Sequence, residues 1–250
     1  MPVLERLILF DIDGTLLSAG GAPRRAFGRA LIEFFGTEGA AATDGFAGKT
    51  DPQILHDLMR AAGFDEAVID ERADDFFAYY LTRLEAELEA ETRHRLHPGV
   101  AELLPALAED PRVTLGLVTG NVVAGARIKL EHFGLWEHFA LGAYGSDDRV
   151  RNHLVPIAVE RAEARTGRRF EGDEVVVVGD TPADVACARA AGAMVVAVAT
   201  GVHSTDDLAG HHPDVLLESL AEWPALLERL DLAAWRPVPR APRARTAPFS

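Results

Sequence analysis

Cysteine is almost missing from this chain: Cys187 stands alone among 250 residues. A single thiol closes no internal disulfide, so a disulfide-stapled secreted scaffold is excluded, and the composition agrees with a reducing cytosol. Lysine is nearly as scarce, with only Lys49 and Lys129 among 25 basic side chains. Positive charge as a whole is short: 25 Lys and Arg face 39 Asp and Glu, for a formal net charge of −14. Such a chain disfavours nucleic acid and membrane partners. It also repels phosphorylated metabolites, so any phosphate chemistry requires a local cationic site. No apolar run reaches the roughly 18 residues that span a bilayer, and the first six residues lack the basic-then-apolar order of a signal peptide. A soluble, cytoplasmic protein is expected.

What is present suffices for a large core. With 48% hydrophobic residues, this length supports one α/β domain or one domain carrying an insertion. Leu7, Ile8, Leu9 and Phe10 read as a buried strand that stops at the turn Asp11-Ile12-Asp13-Gly14. From about residue 22 to residue 96 the pattern is helical with no interrupting strand. His97-Pro98-Gly99 then punctuates the chain before an apolar helix through Leu103, Leu104 and Leu107. A strand over 113–118 ends at Thr119-Gly120-Asn121 and passes into a helix through Lys129. A weaker strand over 139–144 precedes a helix over 153–165. The Val175–Val178 run ends at Gly179-Asp180, and a helix over 184–191 and a strand over 194–199 complete the series. Continuous Val-rich strands alternating with helices predict a doubly wound, Rossmann-like α/β fold with a parallel sheet covered on both faces. The long helical stretch predicts an inserted all-α cap. The expected division is a core of residues 1–18 and 97–232, a cap of residues 19–96, and an Arg- and Pro-rich tail of residues 233–250 with a disordered composition.

Ligands of an open parallel sheet sit beyond the carboxyl ends of its strands. There the chain gathers Asp11 and Asp13 after the first strand, Thr119 after the second, and Asp180 with Asp184 after the Val-rich one. Four carboxylates at one edge repel each other unless a cation neutralises them. Mg²⁺, which takes oxygen ligands and shares them with a substrate phosphate, suits the set. Each residue also has a plain structural reading: Asp-Gly is a common turn, and Asp184 and Thr119 are reasonable helix caps. Recurrence at three strand ends favours a joint chemical role.

The motifs Asp11-Ile12-Asp13-Gly14-Thr15-Leu16, Thr119-Gly120-Asn121 and Gly179-Asp180-Thr181-Pro182-Ala183-Asp184, each behind a strand, resemble those of the haloacid dehalogenase-like hydrolase superfamily over roughly residues 4–215. Gly48-Lys49-Thr50-Asp51 resembles a substrate-facing cap loop of its phosphoglycolate phosphatase-like branch. The resemblance implies a Mg²⁺-dependent phosphomonoesterase acting on a small phosphorylated metabolite. In that family pattern Asp11 attacks phosphorus to form an aspartyl-phosphate, and Asp13 serves as general acid and then general base. Thr119, Gly120 and Asn121 contact the phosphorylated substrate, Asp180 binds Mg²⁺ with Asp11 and the Asp13 carbonyl, and Asp184 supports the metal shell. The family's Lys-Pro-containing loop is missing, because Asp147-Asp148-Arg149-Val150-Arg151-Asn152 stands in its place. Arg151, by position, and Lys129, two turns into the helix after Thr119, are therefore equal candidates for the phosphate-holding cation. Lys49 is a candidate partner for a second anionic group on the substrate, and an amine there also raises phosphonatase chemistry through a Schiff base. A phosphomutase needs the same core. A non-catalytic phosphate-binding module would be expected to lose Asp11 or Asp13, and both are present; a 2-haloacid dehalogenase would give Asp13 no alkoxide to protonate. His94, His97, His203, His211 and His212 lack ligand spacing and read as exposed loop histidines.

Overall fold

Leu7, Ile8, Leu9 and Phe10 have no more than 1% of their surface exposed, and their side chains divide by period two. Ile8 and Phe10 join the apolar layer on one side of a sheet, and Leu7 and Leu9 join the layer on the other. Val176 and Val178 against Val175 and Val177 repeat the division. Burial on both faces is what allows these strands to be written as unbroken apolar runs.

The computed structural model describes residues 5–41 and 45–233. The chain opens with β1 (Arg6–Phe10) and a two-residue strand β2 (Leu17–Ser18), followed by helices α1 (Ala22–Phe35), α2 (Asp51–Ala61) and α3 (Glu66–Ala90). It returns through β3 (Arg95–Leu96) and then runs α4 (Val100–Glu109), β4 (Val113–Thr119), α5 (Val123–His132), β5 (Leu141–Tyr144) and α6 (Leu154–Thr166). The remainder is β6 (Val175–Gly179), α7 (Pro182–Ala190), β7 (Met194–Val198), α8 (Thr205–Ala209), β8 (Val215–Leu217) and α9 (Trp223–Arg229). Six strands form one parallel sheet in the order β5-β4-β1-β6-β7-β8. The first strand is therefore central, flanked by β4 and β6, and the ends of all three share one edge of the sheet.

The doubly wound α/β fold with an inserted helical segment is as expected, with local differences. Arg95–Leu96 is not a helix end but pairs antiparallel with Leu17–Ser18, so the chain leaves and re-enters the core through a two-stranded neck. The strand expected from residue 139 begins at Leu141, because Phe139 closes a 3-10 turn and packs its ring 6.2 Å from that of Phe10. The helix expected from Asp184 begins at Pro182, where proline's missing N–H costs nothing. The tail expectation falls on residues that, apart from 233, lie outside those described.

The inserted helices have a core of their own. Phe27 on α1 meets Phe76 and Tyr80 on α3 edge-on, with ring centroids 5.0 and 5.3 Å apart. Among the described residues, no helix is long and apolar enough to cross a membrane.

Candidate active site

Asp11 follows β1 directly, and its amide donates to the Val178 carbonyl at 2.9 Å, carrying the sheet pairing one residue past the strand. The chain then folds back on itself: Thr15, Leu16 and Leu17 amides all donate to the Ile12 carbonyl. This turn brings Gly14, at φ +88°, against Asp180, where any Cβ would overlap the Asp180 carboxylate. Only glycine fits there. The same turn lets Thr15 Oγ1 donate to Asp180 Oδ1 at 3.0 Å.

Asp11, Asp180 and Asp184 are buried and bring carboxylate oxygens within 4.8 Å of one another. Asp184 is not the cap of α7. Thr181 is, and Asp184 closes a capping box with it, its Oδ2 accepting from the Thr181 amide at 3.0 Å and hydroxyl at 2.7 Å. Its Oδ1 is paired with the Arg151 guanidinium, which also lies 3.3 Å from Asp11 Oδ1. Burial pushes the Asp11 carboxyl up to about 6, with the pull of Arg151 outweighing the individual repulsions of Asp184 and Asp13. Asp180 is pushed up to about 9 by burial and then by Asp184 and Asp11. Burial alone would lower Arg151, but Asp184 and Asp11 beside it raise it well above its ordinary value.

Asp13 faces a different set of partners. Its Oδ2 accepts from Lys129 Nζ at 2.6 Å and from Asn121 Nδ2 at 2.8 Å. Asn121 Oδ1 in turn accepts from Lys129 at 2.6 Å, and Asn121 Nδ2 also donates to Thr119 Oγ1 at 2.8 Å. Lys129 and Arg151 are thus not rivals for one position: each neutralises a different carboxylate. Thr119 caps no helix; its hydroxyl oxygen accepts from Asn121, which leaves its own proton for another acceptor.

The charges suggest what is missing. Asp13 is paired with Lys129 and Asp184 with Arg151, while Asp11 only shares Arg151 and Asp180 meets no cation among the described residues, so burial and mutual repulsion raise both of these carboxyls in a buried, all-oxygen cluster short of positive charge. A hard divalent cation fits that donor set and that deficit, and Mg²⁺ fits it without change to the residues present.

Over the carboxylates lies a cavity of about 450 Å³, lined from the core by Asp11, Asp13, Thr119 and Gly120 and from the inserted segment by Arg24 and Lys49. The Gly48–Asp51 loop does reach the site. Thr50 caps α2 and donates to the Arg149 carbonyl at 2.8 Å, while the Asp51 amide donates to Gly120 O at 2.7 Å and its Oδ2 accepts from the Val122 amide at 2.9 Å. Burial pushes Asp51 up to about 6, against the pull of Lys129. Lys49 lines the cavity, but its Nζ is 3.0 Å from Asp57. Sequence reasoning did not assign Asp51 this anchoring role, nor Thr15 its bond to Asp180. It also placed His97 on the surface, whereas His97 is 5% exposed and lines the cavity, held below its ordinary value by burial and by Arg95.

A family model described as haloacid dehalogenase-like hydrolase matches residues 5–192. The chain is 30% identical over 225 residues to the probable phosphatase IndB of Dickeya dadantii, covering 88% of this chain and 92% of that one. It is 28% identical over 205 residues to a phosphoglycolate phosphatase of Rhodospirillum rubrum, covering 79% and 81%. The crystal structure of a predicted phosphatase from Clostridium acetobutylicum superposes with a TM-score of 0.70 at 20% identity, covering 91% of this chain and all of that one, which shows the shared fold.

Proposed function

Since the chain belongs to the haloacid dehalogenase-like hydrolases, in the phosphoglycolate phosphatase-like branch, and is a phosphatase, we propose that it hydrolyses a small phosphorylated metabolite through a phosphoryl group carried on Asp11. The observation that carries this reading is the division of labour between two carboxylates two residues apart. Asp11 is buried beside Arg151 and the carboxylate cluster, while Asp13 is turned to Lys129 and Asn121.

An Asp11 oxygen attacks phosphorus, and the ester P–O bond breaks. Asp13 Oδ2 is held by Lys129 and Asn121, so the proton that Asp13 must take up before the reaction sits on Oδ1, passes from there to the departing alkoxide and is regained from the attacking water. Attack of that water on phosphorus breaks the Asp11–phosphate bond and restores the carboxylate. Arg151, the Thr119 hydroxyl proton and the Gly120 amide are placed to meet phosphoryl oxygens, so that positioning and fixed charge supply most of the rate. Mg²⁺, held by Asp11, Asp180 and the Asp13 carbonyl with Asp184 behind them, would supply the positive charge the cluster lacks. Residues 19–96 act as the cap that screens this chemistry from bulk water. The paired and partly exposed Lys49 is not the desolvated amine that Schiff-base chemistry requires, so phosphonatase activity has no support here.

The test is phosphate release from a generic aryl phosphate, phosphoglycolate, sugar phosphates and nucleotides, with and without Mg²⁺, by wild type and Asp11→Asn. Release that needs Mg²⁺ and vanishes in Asp11→Asn supports the reading. Transfer to a second hydroxyl of a sugar phosphate would make the protein a mutase, and tight phosphate binding without turnover would make it a binding module.

A further inference from the structure

Both donors that hold the Asp13 carboxylate come from one stretch of chain: Asn121, just ahead of α5, and Lys129 within it. The start of that helix has no side chain of its own to cap it. Val122 stands at the N-cap position and offers no oxygen. Two oxygens from elsewhere take the amides instead, Ser146 Oγ that of Val123 at 3.1 Å and Asp51 Oδ2 that of Val122 at 2.9 Å.

Ser146 belongs to the core, but Asp51 belongs to the inserted segment, where it opens α2 behind the Thr50 cap and is only 9% exposed. Its own amide donates to Gly120 O at 2.7 Å, so Asp51 grips the chain on both sides of Asn121. From the core side, the Gly145 amide donates to the Asn121 carbonyl at 2.9 Å. A Cβ on Gly120 would overlap the Lys49 carbonyl, so the core loop and the inserted loop meet without slack. No cation pairs with Asp51 among the described residues: Lys129, which attracts it, is bonded to Asp13 and Asn121. What Asp51 gives the core is therefore a hydrogen-bond acceptor, and it gives it only while the inserted segment lies against the sheet edge.

We infer that Asp51 is a positioning residue for the general acid: from the inserted segment it fixes Asn121 and the start of α5, and through Asn121 and Lys129 it aims the Asp13 carboxyl at the departing oxygen. The inference rests on the phosphatase reading, in which Asp13 Oδ1 carries the proton. Proton transfer is sensitive to small misplacement of the acid. Loss of the Asp51 acceptor should therefore be felt where the leaving group needs that proton. An ester whose leaving group departs as a stable anion needs only the Asp11–phosphorus bond to form and its own P–O bond to break, and Asp13 keeps its proton in that step.

The experiment compares kcat/KM, which covers events up to departure of the leaving group, for full-length wild type, Asp51→Ala and Asp51→Asn in Mg²⁺. Para-nitrophenyl phosphate, whose phenolate leaves unprotonated, is set against benzyl phosphate and phosphoglycolate, whose alkoxides need a proton. Asp51→Ala should lower kcat/KM for the two alkyl esters by about tenfold to a hundredfold and for the nitrophenyl ester by no more than about threefold. Asp51→Asn keeps an oxygen that can accept from Val122 and should recover most of that loss. Equal losses on both kinds of ester would make Asp51 an anchor of the inserted segment alone and overturn the inference, as would Asp51→Asn failing like Asp51→Ala. Hydrogen exchange of the Val122 amide, measured without substrate, should quicken about tenfold in Asp51→Ala and stay slow in Asp51→Asn. Unchanged exchange in Asp51→Ala would also overturn the inference, whatever the kinetics. A wild type that cleaves none of the three esters would sink the phosphatase reading and this role with it, whereas turnover with equal losses would sink the role alone.

Discussion

Replacing Asp180 by Asn should make the metal-free protein more stable while removing its activity. The carboxyl is 2% exposed, lies against Asp11 and Asp184, and is pushed up to about 9 from an ordinary 3.8. At pH 7 the folded, metal-free chain thus keeps a proton that the unfolded chain has released. At 1.36 kcal/mol for each pH interval of one, the span from 3.8 to 7 amounts to about 4 kcal/mol of lost stability. Part of that is shared with Asp11 through their mutual repulsion, so a gain of about 1–3 kcal/mol is expected for Asp180→Asn, or roughly 3–10 °C in Tm. The amide is nearly isosteric and can still accept from Thr15. The pH dependence has a definite sign: a carboxyl raised on folding gives stability that is complete below 3.8 and is lost as pH rises towards 9, so the two proteins should melt together in acid and diverge upward. The assay is thermal unfolding in chelator from pH 4 to 9, repeated with Mg²⁺. Mg²⁺ at a hundredfold excess over Kd should stabilise the wild type by about 2.7 kcal/mol, and so raise its Tm, and should leave Asp180→Asn nearly unmoved. A lower Tm for Asp180→Asn in chelator at pH 7, or a gap that closes as pH rises, would refute the charge argument.

Arg151→Ala strips the buried counter-charge from Asp11 and Asp184 and should cost about 3–5 kcal/mol in chemical denaturation, with Arg151→Lys recovering only part, because a point charge cannot reach both carboxylates. Lys129→Met leaves Asp13 and Asn121 without their shared donor and should lower kcat by about 10²–10³ with KM changed little, read from steady-state kinetics on the best substrate. Gly120→Ala places a Cβ onto the Lys49 carbonyl and so displaces the cap loop from the core; kcat/KM should fall by about tenfold or more, and no fall would mean that this close approach is not used in turnover.

The fold was legible where burial on both faces forces a simple code. Residues 7–10 and 175–178 read as strands because nothing polar can stand in them, and Asp11, Thr119 and Asp180 read as site residues because they end such runs. Strand order is a property of chain crossings, and no local pattern states it. The Arg95–Leu96 strand is too short for a period, and its pairing with Leu17–Ser18 joins residues nearly 80 positions apart. Phe139 looked like strand because an aromatic fits a sheet equally well, and α8, β8 and α9 lie in a stretch too polar and too short to show periodicity. Which cation serves which carboxylate depended on the angle between α5 and the loop at Arg151, fixed by packing alone. His97 was misplaced because Pro-Gly beside it signals a turn, and turns are usually exposed; Pro98 is indeed exposed, but His97 is buried, its amide bonded to Leu16 O.

The central claim, that phosphorus passes through a bond to Asp11, is tested most directly by quenching the enzyme during turnover with Mg²⁺ and substrate, reducing with borohydride and mapping the peptide that contains residue 11. An acyl phosphate at Asp11 is converted to homoserine, so the account predicts homoserine at position 11 in the wild type under turnover and none without substrate. Full phosphate release with an unmodified Asp11, or homoserine at another carboxylate, would contradict it.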